Sequence, residues 1–404
     1  MTQVRLTGEA GRMPSTYLWW LFGVIWTLGG MAVLTFGLVW VATGISGSAA
    51  GLVLSAGVIP RLILSLPGGS IADRFGAWPV MVFADCIMAV LAIALVIAIS
   101  LVGTPLWLLV TVSAVVGVAD AFYRPASGAF PRYLVPAPAM AQASAARQIV
   151  FQLIGVTGPV LGGILIVAAS LAASAAAAAA GFAVMFLILL ALRNRLLPVT
   201  RSPIKENLAS SVGQGLRYAI VTTKVRIIII LLVAITGFVL PLTSLLIPLH
   251  VRDQAWLDVT AGFLVGSYGA GLLLSTLLFL FRPHSALTQI PSLGGLALTG
   301  IAMLAIALAP TPEVACIVTL AAGLGTGHFI ARVAPALLTD VPDEYLSRIQ
   351  GINVFVQTLP LLFTNSIFGW ISDSLGTGTA IVVAAIGLLV IAIGTAFSAP
   401  ARRL

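Results

Sequence analysis

Long, uninterrupted runs of apolar residues dominate the hydrophobic pattern of this chain. Twelve such runs alternate with shorter polar segments, and most approach the ~20 residues that a helix needs to cross ~30 Å of hydrocarbon. Strands of a membrane barrel would instead alternate apolar and polar positions over about ten residues. The pattern therefore predicts an all-α membrane protein with twelve transmembrane helices. The predicted spans are 17–43, 48–68, 79–101, 105–123, 147–168, 172–192, 226–248, 259–281, 288–309, 313–333, 351–371 and 377–398.

The composition agrees with a chain that is buried in lipid. Of the 404 residues, 60% are hydrophobic and only 8% are charged, whereas soluble domains carry roughly 25% charged residues. The two cysteines, Cys86 and Cys316, both fall inside predicted spans, so they indicate neither a disulfide framework nor a metal site. No Ser/His/Asp set, metal cluster or phosphate-binding loop is apparent in the sequence. We therefore expect neither an enzyme nor a cofactor.

The longest polar connection divides the spans into two equal groups. It covers 193–225, so the predicted domains are six-helix bundles at 1–192 and 226–404 joined by a cytoplasmic linker. The two groups also resemble parallel repeats, because Val135-Pro136 and Val341-Pro342 are 206 residues apart, as are Gly163 and Gly369. The sequence thus predicts two six-helix pseudo-repeats.

The basic residues predict the orientation of the chain. With the N-terminus inside, 18 of the 20 Lys and Arg residues lie at cytoplasmic ends or loops; Arg252 falls outside and Arg61 lies within span 2. Both termini are then cytoplasmic, and we expect a multi-pass protein of the bacterial inner membrane. The net charge of +8 is explained by this topology and by contact with anionic lipids. It does not indicate nucleic-acid binding, because no stacked aromatic residues accompany the basic ones.

Two motifs carry a family resemblance. The segment 69–76, between spans 2 and 3, reads G-S-I-A-D-R-F-G, and span 5 contains G-P-V-L-G-G at 158–163. They resemble the loop motif and the antiporter motif of the major facilitator superfamily, a family of secondary transporters. Blocks around Arg124-Pro125 and Val341-Pro342 extend the resemblance to the drug–proton antiporter branch that includes macrolide and enterobactin exporters. The motif residues are Gly69, Asp73, Arg74 and Gly76 in the loop, and Gly158, Pro159, Gly162 and Gly163 in span 5.

The resemblance implies roles for these motifs. Asp73 would face the N-terminal end of span 11, where the helix dipole favours an anion, and would hold the inner side shut. Gly69 and Gly76 would allow a close approach and a tight turn, and Gly158-Pro159 would bend span 5 where gating occurs. Two departures concern proton coupling. The family usually has basic residues after the second glycine, where this chain has Ala77, Trp78 and Pro79, and span 1 has no acidic residue.

Ionisable residues inside spans are costly and therefore are candidates for function. Arg61 and Asp85 each lie 12 residues from Asp73 on the two arms of one helical hairpin, so they can pair if their faces meet. Such a pair would be either a gate or proton relay or a permanent structural ion pair. Asp120 and Arg124, spaced i and i+4 in span 4, predict a local salt bridge. Asp120 is the first choice for the residue that binds a proton.

Uncharged polar residues and one histidine complete the candidates. His328, in span 10, can titrate near neutral pH, but a lone histidine in a helix more often packs against its neighbours. Polar stripes on spans 5 and 11 face either a water-filled path or another helix. Trp26 of span 1 could stack on a flat ligand. The substrate-cavity candidates are Trp26, Gln148, Gln152, Asn353 and Gln357.

Together these observations predict a secondary active transporter. The preferred hypothesis is proton-coupled efflux of lipophilic small molecules or drugs by alternating access, by a monomer whose partners are its substrate, protons and membrane lipids. Sparse charge favours such substrates over sugars or phosphates. The alternatives are a specific exporter of a siderophore, lysophospholipid or secreted metabolite, and a membrane sensor that transports nothing.

Overall fold

The fold was described from a computed structural model, which describes residues 13–197, 221–281, 291–339, 355 and 357–397. This part of the chain is almost entirely helical, and it contains no strand. Ten of the described helices are long and apolar enough to cross a membrane, and Ser292–Ala307 is a shorter apolar helix. The prediction of an all-α, multi-pass membrane protein is confirmed.

Six helices form from the first half of the chain. They are α1 Ser15–Thr43, α2 Gly47–Phe75, α3 Ala77–Val102, α4 Leu106–Ala129, α5 Met140–Ala168 and α6 Leu171–Leu192. Helices α2, α4 and α5 extend six or seven residues beyond the predicted spans, at the ends nearest the basic loops. The hydropathy pattern marks where the chain leaves the apolar layer, whereas backbone hydrogen bonding continues the helix into the polar layer.

The second half of the chain gives six further helical elements in its described part. Helix α7 is interrupted: it is α-helical over Thr223–Ala234, π-helical over Ile235–Val239 and Leu242–Leu246, and α-helical again over Ile247–Asp253. The others are α8 Val259–Phe281, α9 Ser292–Ala307, α10 Pro312–Thr339, α11 Leu359–Leu375 and α12 Thr377–Ala396. Asn353, one of the cavity candidates, lies outside the described residues.

The surface of the helix bundle is strongly apolar. We call the end that carries the α2–α3 turn the inner end and the opposite end the outer end, following the orientation that the basic residues predict. Large apolar side chains such as Phe83, Leu101 and Leu308 are exposed by 69%, 77% and 79%. A belt of this kind is stable in lipid but not in water, so these apolar side chains form the membrane-facing surface.

Helix packing follows the same pattern in both halves. The pairs α2–α4, α3–α4 and α3–α6 in the first half correspond to α8–α10, α9–α10 and α9–α12 in the second. Adding six to each helix number relates one set to the other. Helices α1 and α6 also pack together, and the halves meet mainly through α5–α8 and α2–α11. This arrangement is the one expected of two six-helix pseudo-repeats.

Small residues let the paired helices approach closely. A Cβ added to Gly117 of α4 would collide with the backbone carbonyl of Gly57 on α2. A Cβ on Gly30 of α1 would lie 3.0 Å from the Cα of Ala178 on α6. Transmembrane helices associate through such backbone contacts because lipid supplies little hydrophobic driving force between them. The alanine-rich stretch of α6 is therefore a packing surface.

The loop motif is mostly helical. Helix α2 continues through Phe75, so Gly69 lies within the helix, and its added Cβ would be in ordinary contact with Pro125 at 4.0 Å. Gly69 therefore does not form the turn, and the close approach implied for it stays a prediction. Gly76 alone makes the turn: its φ of 96° suits glycine, and α3 begins at the next residue.

Candidate functional site

A charge cluster links α2 and α4 in the membrane-spanning region. The Nε atoms of Arg61 and Arg124 lie 2.8 Å and 2.6 Å from the same oxygen, Oδ2 of Asp120. Arg124 donates a hydrogen bond to it, whereas Arg61 is aligned too poorly to donate one from Nε. The predicted Asp120–Arg124 bridge is confirmed. Because two guanidinium groups surround one carboxylate, the negative charge of Asp120 is fully neutralised.

The suggested pairing of Arg61 with Asp85 is wrong. Arg61 turns to α4, where Asp120 lies, and the described residues provide no salt-bridge partner for Asp85 on α3. Both acidic residues lie at similar depths, about 12–14 Å along their helices from the inner end, at 1.5 Å per residue. Depth alone therefore could not tell which of them Arg61 would face.

Asp85 lies in a buried pocket of hydroxyl groups. It is 1% exposed, and it interacts with the hydroxyls of Thr27 on α1 and Tyr123 on α4. These groups are close enough to interact, yet Oδ2 of Asp85 and both hydroxyls are buried without a well-formed hydrogen bond to any described residue. A buried carboxyl group without a cation or donors is costly to keep charged. This site is therefore suited to gaining and losing a proton.

The span-5 motif lies where three helices meet. Gly158 and Gly162 face Ala32 and Phe36 of α1, while Gly163 faces Gly262 of α8. The carbonyl oxygen of Pro159 would lie 2.6 Å from a Cβ on Gly262. The glycines of the motif thus let α5 pack on its own half and on the other half at once. Any relative movement of the halves must change these contacts.

The polar residues of span 5 lie at the contact between the halves. Gln152 donates a hydrogen bond to Thr276 Oγ1 of α8 at 3.2 Å, so it connects the halves there. Gln148, one turn closer to the inner end, is exposed. Gln357, which precedes α11, is also exposed. Of the two interpretations left open by the sequence, contact between helices applies to Gln152.

Trp26 is not brought together with the glutamines by any contact among the described residues. It belongs to an exposed aromatic row on α1, in which Trp19, Phe22 and Trp26 pack edge to face at 6.3 Å and 6.1 Å between ring centroids. Its backbone carbonyl contacts the position of Gly181 on α6. This row lies beside α6 rather than beside the other half of the chain.

His328 packs at a junction of three helices. Its ring lies 5.2 Å from the ring of Phe279 on α8, and its Cδ2 atom would be 3.0 Å from a Cβ on Gly295 of α9. These contacts support the interpretation of His328 as a packing residue. In the loop motif, Arg74 is exposed and lies over Phe75 at 5.5 Å, whereas the side chain of Asp73 is outside what the structure describes.

The outer end is held by polar contacts between the halves that the sequence analysis did not single out. Arg252 of α7 donates hydrogen bonds at 2.9 Å to Thr43 Oγ1 and to the carbonyl of Trp40, and its guanidinium lies 4.2 Å from the Trp40 ring centroid. Its position as the lone basic residue on the outer side was the available signal. Asp373 of α11 accepts hydrogen bonds from the first residues of α2. The outer end is therefore closed.

An apolar cavity of about 550 Å³ lies between α2, α3 and α4. All of the side chains that line it are apolar, and several, including Ile71, Phe75 and Phe83, belong to the membrane-facing surface. Because it has no polar group to orient a substrate, we do not assign it as the transport site. Among the described residues there is also no group of His, Cys, Asp or Glu that could hold a metal ion.

Comparison with known proteins places this geometry in a family. The Major Facilitator Superfamily model matches residues 16–364. The multidrug efflux pump Tap of Mycolicibacterium fortuitum is 23% identical over 338 residues, which are 80% of each chain. A solved POT family transporter in complex with 5-aminolevulinic acid has a TM-score of 0.74 at 13% identity, covering 95% of this chain and 96% of that one.

A second solved structure gives the same result. The nucleoside transporter NupG has a TM-score of 0.72 at 13% identity, over 94% of this chain and 98% of its own. Both structural likenesses concern the fold alone, since their sequences are distant. The family model covers most of the chain, and the helix pairing and the two motifs agree with it. The chain therefore belongs to the Major Facilitator Superfamily of membrane transporters.

Proposed function

We propose that this chain is a proton-coupled exporter of lipophilic small molecules that works by alternating access. The observation that carries the proposal is the Asp85 carboxyl group, which is buried inside a transporter fold and has no salt-bridge partner among the residues that the structure describes. The direction of transport is supported by the relative that is named a multidrug efflux pump. The apolar spans, with few fixed charges, favour lipophilic substrates.

Two six-helix halves, at 1–192 and 226–404, rock against each other in this proposal, and 193–225 links them on the cytoplasmic side. The helix pairing and the basic residues support this arrangement. The protein acts as a monomer in the cell membrane with both termini in the cytoplasm. The contacts of Gly158, Pro159, Gly162 and Gly163 make α5 the helix about which the halves move.

Asp85 is the proposed proton-binding residue, in place of Asp120. Asp120 already has two guanidinium partners, so protonating it would leave Arg61 and Arg124 without their counter-charge. Asp85 has no salt-bridge partner among the described residues, and its proton can come and go without breaking an ion pair there. Arg61, Asp120 and Arg124 then act as a fixed link between α2 and α4.

The substrate contacts are proposed from exposure and position. Gln148 and Gln357 are exposed polar residues at the inner part of α5 and just before α11, and Asn353 extends the same stripe by sequence. Trp26 and His328 are less suited to bind substrate, because one packs against Phe22 in the aromatic row of α1 and the other packs against Phe279. A lipophilic molecule would reach these residues from the inner membrane leaflet or the cytoplasm.

The test is ethidium accumulation in energised cells that express the protein, with and without a protonophore. We expect lower accumulation than in control cells, and we expect the protonophore to abolish the difference. Asp85→Asn should abolish it as well, at an unchanged amount of protein in the membrane. Glu313→Gln, which changes an exposed carboxylate at the start of α10, serves as the matched control.

Each outcome has a defined meaning. Unchanged accumulation by a protein that is present in the membrane would reject multidrug export. Comparing metabolites exported by a deletion strain would then test the alternative of a specific siderophore, lysophospholipid or metabolite exporter. Export that survives Asp85→Asn with its protonophore sensitivity intact would reject Asp85 as the coupling residue.

A further inference from the structure

Two segments of the chain share an eight-residue pattern that ends a helix. Residues 69–76 read G-S-I-A-D-R-F-G and residues 369–376 read G-W-I-S-D-S-L-G, so glycine, isoleucine, aspartate and glycine recur at the same four positions. The first segment ends α2, and the second ends α11. The sequence of α11 thus contains a copy of the loop motif.

The two copies also have the same backbone structure. Gly76 has φ 96° and ψ 150°, and Gly376 has φ 88° and ψ 153°. Each glycine donates its N–H to the residue four positions earlier, Ala72 at 2.9 Å and Ser372 at 3.1 Å. Each is followed at once by the next helix, α3 or α12. The likeness therefore extends from sequence to conformation.

The copies lie at opposite ends of the molecule. Helix α2 runs from the outer to the inner end and α11 runs the other way, so the two helices pack antiparallel. The C-terminal end of each is then expected to lie beside the N-terminal end of the other. Inverted three-helix repeats within each half, combined with the parallel repeat of the two halves, would produce this relation.

At the outer end the contact is formed. Asp373 Oδ1 accepts a hydrogen bond from the Gly47 N–H at 2.6 Å. Its Oδ2 accepts from the Ser48 N–H at 2.8 Å and from the Ser48 hydroxyl at 2.5 Å. These N–H groups belong to the first turn of α2, where backbone N–H groups have no acceptor within the helix. The positive end of the helix dipole also lies there. A carboxylate is the group that satisfies both needs.

Close backbone packing positions this carboxylate. Gly47 and Gly51 of α2 face Gly369 and Asn365 of α11, and an added Cβ at Gly47 would lie 2.7 Å from the Gly369 carbonyl oxygen. Further along, Ser55 shares a hydrogen bond of 3.1 Å with Ser366. The contact surface thus spans two turns of each helix, with Asp373 at its outer limit.

We propose that the 369–376 segment is an outer latch, in which Asp373 caps the N-terminus of α2 and holds the outer end closed. It is the inverted counterpart of the contact that the family resemblance implies for Asp73 at the inner end. The Asp373 contact and the implied Asp73 contact would join α2 and α11 at opposite ends. When the halves rock so that one contact forms, the other must therefore separate. The proposal rests on the alternating access proposed above.

Distances between spin labels at the outer end test the latch. The labels go on Leu101→Cys at the outer end of α3 and Leu308→Cys just after α9, both strongly exposed, with Cys86 and Cys316 replaced by alanine. Asp373→Asn should raise the ratio of long to short distances roughly fivefold, and Ser48→Ala about twofold. Glu313→Gln, an exposed acidic residue at the same end, should leave the distribution unchanged.

A double variant separates a latch from general loosening. Asp73→Asn should shift the balance towards the outer-closed form, and Asp73→Asn with Asp373→Asn should restore a ratio near that of the wild type. An unchanged ratio in purified Asp373→Asn would overturn the latch. If that variant cannot be purified, a Ser48→Ala distribution identical to the wild type would overturn it. Measuring these distances requires neither substrate nor a proton gradient. The latch proposal can therefore be rejected independently of the ethidium assay.

Discussion

The surroundings of Asp120 and Asp85 differ although the two residues are alike in burial and depth. Asp120 is 5% exposed and lies between two guanidinium groups, whereas Asp85 is 1% exposed and has no salt-bridge partner in the described part of the chain. A carboxylate held by two cations is a structural link, and a carboxyl group that lacks a cation is able to change its charge. The partners of a buried acid, more than its burial, therefore indicate its role.

The largest effect is expected from removing the paired acid. Asp120→Ala leaves Arg61 and Arg124 facing each other without a counter-charge, and should lower the free energy of unfolding by ~3–5 kcal/mol. The measurement is unfolding in mixed detergent micelles. A loss below about 1 kcal/mol would show that the cluster is not a structural link, and the contrast with Asp85 would disappear.

A smaller loss is expected when one of the two cations is removed. Arg61→Gln leaves Asp120 with Arg124 alone, and should cost about 1–3 kcal/mol in the same unfolding experiment. Combining Arg61→Gln with Asp120→Asn should cost less than the sum of the single changes, because the two residues are in contact. Strict additivity would contradict the ion pair.

Asp85→Asn should separate transport from stability. We expect protonophore-sensitive ethidium efflux to fall at least tenfold, while the free energy of unfolding changes by less than about 1 kcal/mol, since no ion pair is lost. Efflux and unfolding are measured on the same variant. A large loss of stability with residual efflux would indicate that Asp85 is structural, as Asp120 is.

The smallest effect is expected from the exposed cation of the cluster. The Arg124 side chain is 63% exposed, compared with 30% for Arg61, so Arg124→Gln should cost about 0–1 kcal/mol. Raising the salt concentration should reduce this cost further. A cost equal to that of Arg61→Gln would show that exposure does not distinguish the two arginines.

Much of the fold was predictable because it depends on local patterns. The length and composition of the apolar runs predicted an all-α membrane protein, and the two motifs predicted the superfamily, as the family comparison confirmed. The prediction that the chain is not an enzyme is confirmed by the same membership. The Asp120–Arg124 bridge was predictable because residues at i and i+4 share one face of a helix.

Other features of the site were not predictable, because they depend on contacts between distant helices. Nothing local to Arg61 indicates whether it turns to α3 or to α4, and the pairing with Asp120 followed only from the packing of α2 on α4. Likewise, Gln152 became a contact between helices when α8 placed Thr276 beside it.

Hydropathy and short motifs involve neighbouring residues, so the class of protein, its repeated helices and its family can be read from the order of the residues. The packing of distant helices is needed to know which carboxyl group is paired, where α5 packs between the halves, and that Asp373 reaches the first turn of α2. The reason is physical: the free energy of a charge inside the membrane depends on the groups that surround it in space, and those groups come from other helices.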